Sequence, residues 1–256
     1  MSGGVGSLEQ SVEGSVLVLT IRRGAKRNAI DQDLADQLCL ALARLDQDPA
    51  LRVGVVTGEP PGFCAGTDLS LEASPRSADG SEYGVIRRAR RKPLIAAVEG
   101  FALGGGFEIV LACDLVVAAS DARFGLPEVK RGLVANCGAL FRAPDRLPPT
   151  IAMELLLTGE PIGAERAHSV GLVNRLAAPG QALGTALQLA RSVAANSPVA
   201  VRETITAVLR AREQQEAALW PLTEAASEAA STSPDRQEGI TAFFERREPT
   251  WGGTKP

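Results

Sequence analysis

The segment at 92–114, KPLIAAVEGFALGGGFEIVLACD, constrains this chain more than any other. Leu94 to Val98 are apolar at every position and predict a short buried strand. A Gly-rich turn, GFALGGG, follows, and the apolar run FEIVLAC predicts a helix starting at or just after the three glycines at 104–106. Consecutive glycines carry a large cost in backbone entropy. A helix N-terminus presents unpaired N–H groups and the positive end of the helix dipole. Bare backbone at that point lets an anion or a developing oxyanion approach. A tight packing turn between strand and helix would use the same residues, so the segment alone leaves both readings open. A dinucleotide fingerprint fails, because Ile109 stands where the third glycine is needed, and no Gly-Lys-Ser/Thr phosphate loop is present.

The flanking sequence extends the pattern. SVLVLTI at 15–21, VGVVT at 53–57 and DLVVAAS after Cys113 are further apolar strands. Asp31 is a candidate N-cap for a helix with Leu34, Leu38, Leu42 and Leu45 at helical spacing, closed by Asp48-Pro49. Strands alternating with helices predict an α/β fold. Residues 72–84, rich in Ser, Ala, Gly and charge, predict a mobile surface loop, and 86–92 a basic helix. Beyond about 148 the strand signals fade. Helices are expected at 149–158, 163–169, 181–195, 198–211, 213–230 and 235–246, two of them with proline near their start, Pro198 and Pro234, which suits a first-turn position. The closing WGGTKP is expected to fray. No linker divides the chain, so residues 1–195 form a core and 196–256 a helical region that is not an independent domain.

Composition narrows the function classes. A net charge of −3 without a basic run gives no electrostatic case for nucleic acid or an anionic membrane. The N-terminus lacks the pattern of a signal peptide, and no apolar stretch reaches membrane-spanning length. Cys39, Cys64, Cys113 and Cys137 lie far apart with no C-x-x-C pair, which argues against a metal cluster or a disulfide framework. A cytoplasmic protein with reduced thiols is expected. The single histidine, His168, lies in a short helical pattern and is expected to be structural; a histidine-based triad would have to use it, and no Gly-x-Ser-x-Gly pattern accompanies it.

Two carboxylates stand near special backbone: Glu108 directly after the glycine run, and Glu128 after a proline in FGLPEVKRG. Singly, the first is an ordinary first-turn glutamate and the second a loop glutamate. Gly66, in PGFCAGTDL at 61–69, again permits close approach or positive φ.

Together these segments resemble the enoyl-CoA hydratase (crotonase) family. The resemblance rests on six ordered motifs: KRNAI at 26–30, FCAGTDL at 63–69, KPLIAAVEGFALGGGFE at 92–108, CDLVVAASDARFGLPEVKRGL at 113–133, AMELLLTGEPIGAERAHSVGLVNRL at 152–176 and EGITAFFERREP at 238–249. It implies an α/β spiral of ββα turns followed by a C-terminal helical trimerisation region, assembled as a homotrimer or a dimer of trimers. It implies an oxyanion hole from the N–H groups of Thr67 and Gly105, with Glu108 and Glu128 as the acid/base pair that adds water across a 2-enoyl-CoA thioester. Coenzyme A is then part of the acyl-CoA substrate and no separate cofactor or metal is required. Lys26, Ala29, Ala65, Asp68 and Leu69 would border its nucleotide, joined by Phe243 and Arg246 from a neighbouring subunit. Double-bond isomerisation and non-catalytic acyl-CoA binding are the alternatives. Retention of both glutamates favours hydration. The chain departs from the family in ANCGA at 135–139, where Asn136 replaces a glycine close to the expected position of the water, and at Phe141, where Gln is common. The acyl group is expected to be lined by the 72–84 loop and the helix from Val85.

Overall fold

A computed structural model describes residues 7–252 except Leu69 and Glu72. In chain order the strands are β1 (Ser7–Glu13), β2 (Val16–Arg22), β3 (Val53–Gly58), β4 (Leu94–Val98), β5 (Phe101–Leu103), β6 (Leu115–Ala119), β7 (Arg123–Gly125), β8 (Ile162–Gly163) and β9 (Arg175–Ala177). The helices are α1 (Gln32–Gln47), α2 (Gly105–Ala112), α3 (Ala139–Arg146), α4 (Pro149–Thr158), α5 (Ala164–Ser169), α6 (Ala182–Ala194), α7 (Pro198–Glu216), α8 (Trp220–Ser231) and α9 (Pro234–Glu245).

Six strands form one sheet in the order β1-β2-β3-β4-β6-β9, parallel throughout except for the β1–β2 hairpin at one edge. Both faces of its parallel part are covered. Leu17, Leu19 and Ile21 join Leu34, Leu38, Leu42 and Leu45 of α1 in one cluster. Val16 and Val18 join Val53, Val55, Ile95 and Val117 beneath Ala186, Ala190 and Ala194 of α6 in another. Side chains alternate between the faces of a strand, so a sheet buried on both faces needs apolar residues at every position. Asp31 caps α1, accepting a hydrogen bond from the Leu34 N–H at 2.9 Å.

A second layer positions the site. β5, β7 and β8 form a smaller sheet, Cys64 bridges Ala102 of β5, and Ile30 bridges Thr67. Strands of the large sheet therefore lead into short second-layer pieces and then into helices: β2, Ile30 and α1; β4, β5 and α2; β6, β7 and, after a 3₁₀ turn at Pro127–Arg131, α3. These are successive ββα turns of one spiral. The 64–67 piece, β5 and β7 run parallel, so their C-terminal ends carry Thr67, Gly105 and Glu128 to one edge.

Several sequence expectations are corrected. Residues 73–84 are only partly a solvated loop: Ala73, Arg76 and 78–80 are exposed, but Ser77, Ser81, Glu82 and Tyr83 are buried. Its serines make internal hydrogen bonds, with the Ser77 hydroxyl and the Ser81 N–H both donating to Asp79. Residues 86–92 are not helical. Arg87 has φ +59°, and Arg87, Arg88 and Arg90 are drawn to Glu82, Asp79 and Asp114. The Gly-rich turn contains β5. β1 escapes sequence patterning because only Leu8 of it is buried, and β8 and β9, inside the expected helical region, are too short to pattern. The expected helix at 213–230 is split between the end of α7 and α8, which begins with Pro221 in its first turn. α3 was not foreseen. The fraying expected of the C-terminus falls largely on 253–256, outside the described residues.

Candidate active site

The glycines meet a packing requirement and a chemical one together. Gly66 has φ +95°, and a Cβ there would lie 2.8 Å from the Gly105 nitrogen. A Cβ on Gly105 would lie 2.2 Å from the Tyr83 Oη, and one on Gly106 2.2 Å from the Cys64 carbonyl oxygen. The loop that carries Thr67 thus lies directly against the start of α2. Gly105 is the first helical residue, so its N–H has no intrahelical acceptor. The Ile30–Thr67 bridge is made by the Gly66 carbonyl and the Asp68 N–H, which leaves the Thr67 N–H outside the pairing. Among the described residues, neither N–H donates to another backbone carbonyl.

The two glutamates come from adjacent turns of the spiral. Glu108 lies in the first turn of α2 and is buried. Its Oε1 accepts from the N–H groups of Cys137 at 2.7 Å and Ala139 at 3.1 Å, at the N-terminus of α3. Burial raises its pKa to about 7, against the opposing pull of those two donors and of Arg142. Glu128 sits on the 3₁₀ turn after β7, held near Gly104 by the Gly104 N–H to Gly125 carbonyl bond. A Cβ on Gly104 would lie 3.0 Å from the Glu128 Oε1. The Glu128 Oε2 is buried without a hydrogen-bond partner. Burial, then the charge of Glu108, raises Glu128 to about 8. Two carboxyls that titrate together near neutrality beside two free N–H donors can exchange protons with a substrate held by its carbonyl oxygen.

The surrounding turns are fastened internally. Arg23 pairs with Asp68 at 2.6 Å, and Asp68 also accepts from the Ser70 N–H and hydroxyl. Burial opposes the Asp68 charge, but these donors outweigh it and hold the carboxyl at about 2. The Ala65 N–H donates to the Arg27 carbonyl, and the Arg23 guanidinium to the Ala29 carbonyl. Lys26, Ala29, Ala65 and Asp68 therefore share one corner, with Lys26 exposed. Leu69 lies outside the described residues. Phe243 lies on α9 and Arg246 at its C-terminal cap, and α9 packs on the Glu128 turn. Arg131 stacks over the Phe243 ring at 4.5 Å, and Arg246 forms the left-handed cap of the helix.

Sequence reasoning missed three participants. Asn28, fully buried at φ +57°, accepts from the Arg23 N–H and donates to the Glu59 and Gly62 carbonyls, joining the 23–29 turn to the loop leading to Thr67. An asparagine between a strand and a helix cap was the available signal. Cys137 matters through its N–H, which no side-chain pattern reveals. Tyr83 lies against Gly105, in a segment assigned to a surface loop. His168 is exposed, with its Nδ1 2.7 Å from the Val173 carbonyl oxygen, and serves its own turn. Asn136 directs its amide to Ser227 at 3.2 Å, and Phe141 packs edge-on against Trp220.

A family model described as enoyl-CoA hydratase/isomerase matches residues 11–254. The chain belongs to the enoyl-CoA hydratase/isomerase family. It is 38% identical to a mevalonyl-coenzyme A hydratase of Aspergillus fumigatus, over 94% of this chain and 92% of that one. It is 35% identical to a short-chain-enoyl-CoA hydratase of Clostridium acetobutylicum, over 92% and 93%. A solved carnitinyl-CoA hydratase from Mycobacterium avium superposes with a TM-score of 0.92 at 37% identity, over 96% of this chain and 98% of that one. These likenesses establish a crotonase fold and an enzyme of the hydratase type. No helix among the described residues is long and apolar enough to cross a membrane.

Proposed function

We propose that this family member reversibly hydrates a 2-enoyl-CoA thioester to the 3-hydroxyacyl-CoA. The observation that carries the proposal is the unequal environment of the two carboxyls. Glu108 receives two backbone N–H groups, which favour its ionised form, whereas Glu128 keeps a buried oxygen without a partner, which favours its protonated form. Glu108 is then the base and Glu128 the acid. The thioester oxygen sits between the N–H groups of Thr67 and Gly105. Glu108 takes a proton from water as the oxygen bonds to Cβ, and the electron pair of the double bond moves onto the thioester as an enolate. Glu128 gives its proton to Cα, and the product leaves with one water added. Each backbone donor to the enolate oxygen contributes about 3–4 kcal/mol to such a transition state.

Coenzyme A is substrate here, with its nucleotide against Lys26, Ala29, Ala65, Asp68 and Leu69. In a homotrimer or dimer of trimers built through the 196–256 region, Phe243 and Arg246 reach the nucleotide of a neighbouring subunit. Phe243 on α9 and Arg246 at its cap are both exposed, which supports that assignment. Light scattering tests the assembly, and a monodisperse monomer refutes it. A cytoplasmic location is part of the same proposal.

The test is ultraviolet loss of the conjugated enoyl thioester, using a panel of 2-enoyl-CoAs with wild type, Glu108→Gln and Glu128→Gln. Turnover by wild type that falls by roughly 10²–10⁴ in both variants, with folding intact, supports the proposal. Turnover that survives either substitution refutes it.

A further inference from the structure

The glutamates and the two N–H donors leave one polar assembly at the site unexplained. Tyr83 is buried yet has φ +54°. A bulky aromatic residue holds that conformation only where its surroundings over-determine it, and such strain concentrates at functional sites. Its ring lies against Gly105, whose Cβ, if present, would be 2.5 Å from the Tyr83 Cζ. Its Oη is hydrogen bonded to the Thr67 hydroxyl at 2.8 Å and lies 3.3 Å from the Ser74 hydroxyl and 3.5 Å from the Cys137 Sγ. One phenol thus touches both residues assigned to the oxyanion hole and the residue whose N–H holds Glu108.

The polar chain continues outward. The Ser74 hydroxyl lies 3.4 Å from the Asn136 Oδ1, and the Asn136 amide donates to Ser227 on α8 at 3.2 Å. Thr67, Tyr83, Ser74, Asn136 and Ser227 therefore form a chain of hydroxyls and an amide that runs from the residues assigned to the oxyanion hole to α8. Most of these bonds are at the long end of the hydrogen-bonding range, so the groups have capacity to exchange them for shorter ones with a ligand. A plain hydrocarbon chain beside them would leave these long bonds as they are, whereas a ligand hydroxyl would add a shorter one. The network carries no formal charge. Glu82 behind it is already paired with Arg76 and Arg87. A charged substituent would find no free counter-charge in the network.

We propose that the site selects an acyl group bearing a neutral hydroxyl, and that Tyr83, supported by Asn136, is the specificity-determining residue. This inference rests on the hydratase reading and names its substrate class. A site built to hydrogen-bond a substrate hydroxyl discriminates strongly against the analogue that lacks it, because its own polar groups are then left unpaired.

The experiment compares kcat/KM for crotonyl-CoA, its 4-hydroxy derivative and a long straight-chain 2-enoyl-CoA, in wild type, Tyr83→Phe and Asn136→Ala. Wild type is expected to favour the hydroxylated substrate on the order of tenfold or more, and both variants to bring that ratio towards one. A merely structural loss lowers all three substrates together and keeps the ratio, so the ratio is the deciding readout. If Tyr83→Phe does not fold, Asn136→Ala provides the same ratio. Wild type that turns over the unsubstituted substrates as well as the hydroxylated one overturns this inference and leaves hydration standing. So does a preference that survives in the variants. Absence of turnover with every substrate overturns both.

Discussion

Glu128→Gln should make the protein more stable at alkaline pH while it removes catalysis. The folded-state pKa of Glu128, about 8, lies above its ordinary value of 4.5. The folded chain therefore holds a proton that the unfolded chain releases above about 4.5. Stability falls as pH rises from that value towards 8, and the loss is complete above it. At ~1.4 kcal/mol per unit, the shift sets an upper bound of ~5 kcal/mol. Relaxation and water entry at this half-buried side chain reduce it, so a gain of ~1–3 kcal/mol is expected for the neutral isostere at pH 8.5. Near pH 5 wild type and variant should agree within ~1 kcal/mol, since Glu128 is still protonated in the fold. For a chain of this size the alkaline gain corresponds to a Tm increase of ~3–10 °C. Thermal unfolding at pH 5 and pH 8.5, at one fixed protein concentration, measures it beside the enoyl-CoA assay. A variant no more stable than wild type at pH 8.5, or a difference that does not change with pH, would refute the reasoning.

In the same enzyme kcat/KM should follow a narrow bell, rising as Glu108 loses its proton near 7 and falling as Glu128 loses its own near 8; a flat profile from pH 6 to 9 would contradict the assignment. Gly105→Ala should lower kcat by ~10²–10³, because its Cβ would collide with the Tyr83 Oη and shift the N–H donor; steady-state kinetics with a folded variant checks this. Asn28→Ala removes three hydrogen bonds of a buried side chain and should cost ~2–3 kcal/mol in urea unfolding, with kcat reduced as the Thr67 loop loosens. Arg142→Met leaves the buried Glu216 carboxylate without its bidentate partner and should cost ~3–5 kcal/mol, most of it recovered by adding Glu216→Leu; equal losses in the single and double variants would contradict the account.

The parts of this protein that were legible in the sequence are those whose cause is local. Asp31 caps the helix that follows it, the strands are apolar because both faces are covered, and Glu108 follows its glycine run directly. What was missed depends on contacts between distant segments. Cys137 reaches Glu108 across 29 residues of chain, and Tyr83 reaches Thr67 across 16. The serines of 72–84 carry the composition of a solvated loop, yet several are buried, because they satisfy one another and Asp79. α3 was hidden for a related reason. It has only eight residues, includes Pro144, and starts at Gly138 with φ +101° and no capping side chain. Its N-terminal N–H at Ala139 is instead taken by Glu108.

That last contact bears on the departure at Asn136. In a segment where small residues are usual, a larger polar side chain disturbs Glu108 only if it displaces what holds that carboxyl. Glu108 is held by main-chain N–H groups of Cys137 and Ala139, not by the side chain at 136. Asn136 turns its amide to Ser227 and its carbonyl oxygen to Ser74 and Cys137. The substitution therefore leaves the two donors to Glu108 in place and adds a side-chain link towards α8. Because Glu108 is held by backbone N–H groups, a change of side chain beside it leaves those bonds standing. On the proposed reading, Asn136 bears on which acyl group is selected rather than on the addition of water, and Asn136→Ala should change the ratio between substrates more than the rate with any one of them.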